Sequence, residues 1–435
     1  MKKNTIFIFE FISGGGFRQI NIPSSLFCEG FGMLRSIIED FKALGFEIHT
    51  MLDNRIFYLS EIINADNVRK IERNDDYIKI FKNLVKICKY VFIIAPESSK
   101  ILYNLTKIVR NHKKMVLSTN LNGIKSGSSK IKAYNFFRKR KIPTPITYKI
   151  PYKQKVLDLD FIIKKFREIK KPIVIKPEDG VGAESIKYFE NESQILSFFK
   201  NIDYELDKNR NYILQEFVEG KDMSISLIGG YYPKLDPLIL SINFQDVNIK
   251  NIKSEYFGGY TPLENHNEII KNLSINIDQI KLLKIEGYFG IDFILKNNNN
   301  FSFIEINPRL TTSYMGLRNV INHNCAELIF NSKINISNIP EIRFINYSHF
   351  TRLDFLYKDF EKIDIFYEEF IPKLIRLIPE FVTPPISLDN SKYFSCFIAT
   401  KSKDYLSSKI RVNQIIKQMK NLNFNISMSK TAELS

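Results

Sequence analysis

Between Gly290 and Arg309 the chain reads GIDFILKNNNNFSFIEINPR. Two apolar runs, Ile291 to Leu295 and Phe301 to Ile306, flank four consecutive asparagines, Asn297 to Asn300, the pattern of a β-hairpin and its turn. Few stretches constrain a fold as tightly, because the register of a hairpin decides which side chains meet. Folding about the midpoint between Asn298 and Asn299 sets Asp292 opposite Glu305 and Asn307 opposite Gly290. Side chains alternate along a strand and cross-strand partners share a face, so two carboxylates and an amide oxygen converge. Hard oxygen ligands of this kind suit Mg²⁺ that is also bridged by substrate phosphates. Gly290 leaves room beside them, and Arg309 follows as a planar donor for phosphate or carboxylate. The competing reading is an edge hairpin with solvated acids.

A chain of 435 residues has length for two to three domains with full cores. Charged residues at 25% and hydrophobic ones at 44% are ordinary for a globular protein. No apolar run approaches the roughly 20 residues that span a bilayer, so no membrane partner is expected. The opening MKKNTIFIFEF mimics a signal peptide, but Glu10 interrupts its apolar run, and it reads as a first buried strand. Cys28, Cys88, Cys325 and Cys396 are scattered without paired spacing. That argues against a zinc site or a disulfide framework and favours a reducing, cytoplasmic compartment. The formal charge of +16 raises the question of nucleic acid. Lys, Asn and Ile are abundant throughout, so compositional bias is the simpler cause and no nucleic-acid partner is expected. The dense run Arg138-Lys139-Arg140-Lys141 falls at an expected helix end, where cations are favoured.

The first third alternates strand and helix. Strands are expected at Thr5–Phe11, Glu47–Leu52, Tyr90–Ala95 and Lys114–Ser118. Helices are expected from Ser24 or Ser25 to about Leu44, from Tyr77 to Cys88, and from Ser98 or Ser99 to Arg110. This order predicts an open parallel sheet with right-handed crossovers, whose ligands bind beyond the carboxyl ends of the strands. Those ends carry Glu10, a flexible Ser13–Gly16 turn, Asp53, Pro96 and Glu97.

A loose, Asn/Gly/Ser-rich segment, Asn120 to Ser129, marks a boundary. Ser128 or Ser129 then caps a helix from Lys130 to about Lys139. Lys130 stands in its first turn, where the helix dipole disfavours a cation; a solvated surface lysine is the default reading. The buried strand Pro172–Pro177 ends in Lys176-Pro177, followed by the loop Glu178 to Ser185 and a strand from Ile186 to Phe189. A strand-end lysine facing a glycine turn can neutralise a phosphate that backbone N–H groups approach closely; an ordinary hairpin turn fits as well. Strands Tyr212–Gln215 and Met223–Ile228 follow, the second with Ser224 and Ser226 alternating as in a half-buried strand. Phe257 to Pro262 reads as a turn whose Gly258 and Gly259 either close over substrate or simply turn the chain.

Together these residues resemble the ATP-grasp superfamily over roughly Lys130 to Arg309. The resemblance implies that Lys130 and Lys176 bind nucleotide phosphates under a glycine loop of Gly180, Gly182 and Ala183. It implies that Glu216, Phe217 and Val218 meet adenine, that Asp222 meets ribose, and that Asp292, Glu305 and Asn307 ligate Mg²⁺ (or Mn²⁺) with Arg309 near the reacting phosphate. The glycine loop, with only two glycines, departs from the family pattern. A narrower similarity, carried by FEFISGGG, EGFGML, DF, LD and YFGGYTPL, is to the tyramine–glutamate ligase family of methanofuran biosynthesis and its bacterial relatives.

The expected fold is therefore α/β. An N-terminal open parallel sheet domain (1–119) is followed by the two ATP-grasp subdomains (120–211 and 212–340, α+β) and a C-terminal extension (341–435). The resemblance implies an ATP- and Mg²⁺-dependent ligase that joins small-molecule carboxylate and amine substrates through an acyl phosphate, with Arg309 and Lys176 as catalytic groups. An ATP-grasp carboxylase component using bicarbonate and a non-catalytic nucleotide-binding module are the alternatives. His266 and His323 read as surface residues. The extension reads as a closing β-element, a lid or an oligomerisation subdomain, with strands Arg352–Leu356 and Tyr393–Thr400, helices Tyr367–Leu377 and Ser407–Lys420, and Pro384-Pro385 as punctuation. A homodimer is the default assembly.

Overall fold

A computed structural model describes residues 4–153, 156–180, 186–200, 206–231, 236–250, 253–264, 266–296, 300–334, 340–357, 370–388 and 393–426. The first third folds as five parallel strands in the order β3-β2-β1-β4-β5. They are β1 (Thr5–Glu10), β2 (Glu47–Asp53), β3 (Asn67–Ile71), β4 (Tyr90–Ile94) and β5 (Met115–Val116). Tyr90 to Ile94 is buried at every position, as a strand covered on both faces must be. β3 escaped the sequence reading because Asn67–Ile71 is an edge strand with one buried residue, so it has no apolar run to read. The order reverses between β1 and β4, which places Glu10, Pro96 and Glu97 at the switch point, where open sheets leave a crevice.

Helix α1 (Ser24–Ala43) crosses from β1 to β2, followed by α2 (Tyr77–Ile87) and α3 (Ile101–Asn111). Neither α1 nor α3 has the serine cap its sequence offered; Pro23 and Lys100 occupy the cap positions without side-chain bonds. The Ser13–Gly16 turn is not flexible. Ile12, Ser13, Gly14 and Gly15 are buried, and the Glu10 carboxylate accepts from Ile12 N (2.9 Å), Ser13 N (2.7 Å) and Ser13 Oγ (2.6 Å). The segment after Asn120 is a helix rather than a loose linker: α4 (Leu121–Gly127), capped by Asn120, leads into α5 (Lys130–Lys139), capped by Ser129.

A four-stranded antiparallel sheet follows, in the order β10-β9-β11-β6. It contains β6 (Thr147–Lys149), β9 (Ile173–Pro177), β10 (Lys187–Phe189) and β11 (Tyr212–Glu216), beside the small hairpin β7 (Tyr152–Lys153) and β8 (Val156–Leu157). Two helices, α6 (Leu159–Ile169) and α7 (Glu192–Lys200), belong to the same region.

The rest is organised on one nine-stranded sheet, ordered β16-β15-β12-β13-β14-β17-β19-β18 with β20 against β17. Its strands are β12 (Lys221–Gly229), β13 (Leu238–Lys250), β14 (Lys253–Thr261), β15 (Gly287–Leu295), β16 (Phe301–Asn307), β17 (Ser348–Tyr357), β18 (Phe381–Ile386), β19 (Tyr393–Ala399) and β20 (Phe424–Ile426). The C-terminal strands extend this sheet, and β18 and β19 pack against α1. Pro384 and Pro385 lie inside β18, at the sheet edge, where a missing N–H is tolerated.

Three local readings are corrected. Gly258 and Gly259 do not form a turn; they lie inside β14, sandwiched between β13 and β17. A Cβ on Gly259 would collide with the Phe244 carbonyl oxygen, and one on Gly258 with that of Phe350, so neighbouring backbones demand glycine there. Ser224 and Ser226 are fully rather than half buried. His266 is 8% exposed: its ring meets Phe344, and its Nδ1 accepts from Ile242 N at 3.3 Å.

Candidate active site

The hairpin β15–β16 folds in the expected register where its acids stand. Gly290 pairs with Asn307, Ile291 with Ile306 and Asp292 with Glu305. Beyond Asp292 a bulge shifts the register by one, so Phe293 faces Phe303 and Leu295 faces Phe301. The tip is thus offset while the acid-bearing half is not; Asn297 to Asn299 fall outside the described residues. The room beside Gly290 is filled by Thr311, whose Cγ2 lies 2.7 Å from where a Cβ would stand.

These acids are not solvated. β16 is an edge strand, but α4 and α5 lie against it, and the Glu305 side chain is 19% exposed. Lys130 Nζ stands 3.2 Å and Lys176 Nζ 3.7 Å from Glu305 Oε2. Lys130 also donates to the Gly180 carbonyl at 3.2 Å, so it is an inward lysine rather than a surface one. Burial works to raise the Glu305 pKa, but the two ammonium groups outweigh it and hold the carboxyl below its ordinary range. Asp292 moves the other way, pushed up to about 7 by burial and then by the Glu305 charge. It accepts from Asn307 Nδ2 at 2.8 Å and Gln245 Nε2 at 3.2 Å. Burial also lowers the Lys176 pKa, with Glu305 opposing the shift.

Beneath the acids runs a buried polar layer. Ser224 of β12 lies beside Asp292, and Asn243 of β13 donates to Ser224 Oγ (3.2 Å) and Ser226 Oγ (3.0 Å). Tyr288 Oη donates to Ser226 Oγ at 3.0 Å and lies 2.9 Å from Thr311 Oγ1, which is 2.8 Å from Ser313 Oγ. The alternation of Ser224 and Ser226 thus places hydroxyls on the face that holds the loop after Arg309.

A cleft of about 610 Å³ joins these groups. At one end, Val174 and Lys176 of the four-stranded sheet oppose Phe293 of the nine-stranded one and Ile304. Glu216, Phe217, Val218 and Asp222 line the same cleft. Phe217 N donates to the Pro172 carbonyl at 2.9 Å, and the Glu216 carboxylate pairs with Lys171, so these two groups are already partly engaged. Burial pushes the Asp222 pKa up to about 6, with Lys176 tempering it. Gly180 lies at this end with φ +117°, on the way into the glycine loop; Gly182 and Ala183 fall outside the described residues.

The other end reaches the switch point of the parallel sheet. Arg309 Nε lies 3.1 Å from Glu97 Oε1. Glu10, Glu29, Tyr256, Thr312 and Arg352 line the cleft there. Glu29, Tyr256, Thr312, Arg352 and, beside Asp292, Gln245 line the cleft without having been singled out as site residues in the sequence. Glu29 and Tyr256 lie in segments whose resemblance was visible, while Arg352 stands in an otherwise ordinary strand. The sole available signal for Arg352 was an arginine inside a mostly apolar run.

Comparison with known proteins agrees with this architecture. Residues 127–313 match the ATP-grasp domain family, and residues 46–124 match the pre ATP-grasp 3 domain. The tyramine–L-glutamate ligase of Methanocaldococcus fervens is 31% identical over 326 residues, covering 72% of this chain and 89% of that protein. The tyramine–L-glutamate ligase of Methanocaldococcus jannaschii is 28% identical over 342 residues, covering 78% and 91%. Biotin carboxylase from Campylobacter jejuni shares the fold with a TM-score of 0.68 at 14% identity, covering 98% of this chain and 92% of that one. With a shared fold, a matching domain and relatives similar over most of their length, the chain belongs to the ATP-grasp family of ATP-dependent carbon–nitrogen ligases.

Proposed function

We propose that this protein is an ATP- and Mg²⁺-dependent carboxylate–amine ligase that forms an amide through an acyl phosphate. L-glutamate and tyramine, in methanofuran-type cofactor biosynthesis, are the first substrates to test. The carrying observation is the register that sets Asp292 opposite Glu305, with Lys130 and Lys176 against Glu305 and one cleft lined by Lys176, Asp292 and Glu305.

The donor set fits a divalent cation. Two buried acids forced together raise the Asp292 pKa, and a cation between them relieves that repulsion. Asn307 donates through Nδ2 to Asp292, which leaves its Oδ1 as the ligand atom. Among the described residues no group of three or more His, Cys, Asp or Glu forms a metal cage. Two carboxylates and an amide are the kind of partial set that Mg²⁺ takes with substrate phosphates. When bound, the ion would neutralise charge on the phosphates being parted.

The chain's own groups then have distinct tasks. Lys130 and Lys176 bind phosphate oxygens, and Glu305 holds both ammonium groups in place. Gly180, at the entry to the glycine loop, brings backbone close to the phosphates. Glu216, Phe217 and Val218 face adenine, and Asp222 accepts from the ribose hydroxyls. Arg309, braced by Glu97, faces the phosphoryl group in transit. The donor carboxylate attacks the γ-phosphorus of ATP and ADP leaves. The amine nitrogen then attacks the acyl carbon, inorganic phosphate leaves, and the nitrogen gives up its proton. Positioning and charge neutralisation suffice for such transfer.

The test is ADP release with ATP and Mg²⁺ over amino-acid carboxylates crossed with amines. ADP formation that requires one carboxylate and one amine, and vanishes in Glu305→Gln, is the expected result. Release with bicarbonate alone would replace the ligase with a carboxylase component. ATP binding without turnover for any pair would reduce the protein to a nucleotide-binding module.

A further inference from the structure

A second cavity, of about 400 Å³, lies at the β3 side of the parallel sheet. Asp53 ends β2, and Ile71, its partner in register, ends β3. Arg55 and Arg73 therefore follow two neighbouring strand ends, and both line the cavity. Ligands of open parallel sheets gather beyond such ends. A further wall is the stretch from Arg18 to Asn21. Phe17, just before it, lines the ATP cleft, so one stretch of chain touches both cavities.

The charged groups of the lining are Arg18, Arg55, Arg73 and Asp53. Asp53 is 2% exposed and engaged on both oxygens by Arg55. Its Oδ1 accepts from Arg55 Nε at 2.8 Å and from Arg55 N at 3.0 Å, and its Oδ2 from Arg55 Nη2 at 2.8 Å. Arg55 also donates to the carbonyls of Phe17 (2.8 Å) and Ile20 (2.9 Å), which ties the shared stretch to the end of β2. Arg18 donates through Nε to the Asp75 carbonyl at 2.7 Å, and its guanidinium carbon stands 5.0 Å from the centre of the Tyr77 ring. Those contacts fix the guanidinium plane and use one of its five donors. Among the described residues, neither the terminal amino groups of Arg18 nor any donor of Arg73 meets a protein acceptor.

The acids of the loop after β3 are engaged elsewhere. Glu72 pairs with Lys70 at 3.2 Å, Asp75 accepts from Glu72 N at 2.9 Å, and Asp76 caps α2 through Lys79 N at 3.1 Å. None of the three lines the cavity. The competing reading is a pair of solvated surface arginines, but solvation alone calls for neither the ring beside Arg18 nor the carbonyl on its Nε. With Asp53 and Arg55 neutralising each other, Arg18 and Arg73 leave two positive charges on the hollow. Guanidinium groups match the oxygens of phosphate, and a braced one loses little freedom on binding.

We propose that this cavity is a second anion site, in which Arg18 and Arg73 donate to a phosphate dianion, free or carried on a small molecule. The site is separate from the phosphates of ATP and does not depend on the ligase reading.

The experiment is calorimetric titration of the full chain with inorganic phosphate and, separately, with glycerol phosphate. Ionic strength is held constant with chloride, and the ATP cleft is filled by Mg²⁺ and a saturating non-hydrolysable ATP analogue. Wild type is expected to bind one phosphate per chain. Arg18→Gln and Arg73→Gln should each weaken that binding by roughly tenfold or more, the scale of a lost hydrogen bond to a charged group. Affinity for the ATP analogue and the melting temperature should stay as in wild type. Should a glutamine variant melt lower, Arg18→Lys or Arg73→Lys takes its place, keeping the charge and losing the fork, with weakening again expected. Glycerol phosphate that competes with phosphate assigns the site to a carried phosphate; failure to compete assigns it to the free ion. The inference falls if phosphate does not bind while the cleft is filled, or if the variants bind it as wild type does.

Discussion

The two ends of the cleft carry similar numbers of charges but are assembled in different ways. At the nucleotide end, Lys130, Lys176, Asp292 and Glu305 come from short segments in which each charged residue is announced by its neighbours: a helix cap, a strand-end Lys-Pro, a hairpin. At the switch-point end, Glu29, Glu97, Arg309 and Arg352 come from α1, the end of β4, the loop after β16, and β17. The first end is a local construction repeated in sequence, and the second exists only once four distant segments are packed.

Four outcomes sharpen or break that comparison, from the largest effect to the smallest. Glu305→Gln should lower the rate of ADP release by on the order of 10³-fold, because it removes the proposed metal ligand and unpins both lysines. A loss under tenfold would show that the hairpin is not the phosphate-handling centre. Glu97→Gln tests the other end. Arg309 is left without its nearest counter-charge, and breaking a buried pair typically costs roughly 3–5 kcal/mol. Asp292 and Glu29 also favour the charged form of Arg309, so a fall near the lower limit is expected in chemical denaturation. An unchanged midpoint would mean that the pair is dispensable to the fold.

The third outcome concerns pH. Burial lowers the His266 pKa from 6.5 to about 4. The unfolded chain therefore takes up a proton first, so the stability contribution is complete above about 6.5 and is lost as pH falls toward about 4. The span corresponds to roughly 3 kcal/mol at most. His266→Gln should flatten the acid limb of a stability–pH curve; an unaltered slope would place the acid sensitivity elsewhere. Last, Gly259→Val should lower the melting temperature, since a Cβ there collides with the Phe244 carbonyl; overpacking of this kind typically costs roughly 1–3 kcal/mol. A variant with normal stability but altered KM for one substrate would restore a substrate-closing role to this strand.

Much of the fold was legible where a local pattern repeats. The strands Thr5–Glu10 and Tyr90–Ile94 and the helix Lys130–Lys139 stand within a residue of where their apolar periods and caps put them. The elements that misled did so because a neighbour overrode composition. Gly123 and Gly127 look like linker residues, but they are helical: a Cβ at Gly127 would stand 3.1 Å from Ile306 and Pro308. Gly258-Gly259 looks like a turn, but it marks two backbones pressed against a central strand. His266 looks like a surface residue because its partners, Ile242 and Phe344, are distant in sequence.

Sequence alone pointed to the pairing of Asp292 with Glu305, because two apolar runs about a short turn make a hairpin whose strands alternate faces; the tip closes one residue out of the expected register, and the bulge after Asp292 brings the pair opposite. It also placed Lys130 at the start of a helix and Lys176 near the end of a strand. Only the tertiary structure decided that Lys130 and Lys176 meet on one oxygen of Glu305, that the C-terminal strands complete the same sheet as the hairpin, and that Arg352 and Glu29 share a wall. Register within a hairpin depends on a few intervening residues. Contact between α1 and β17 depends on the packing of every layer between them, and no local pattern in either segment records it.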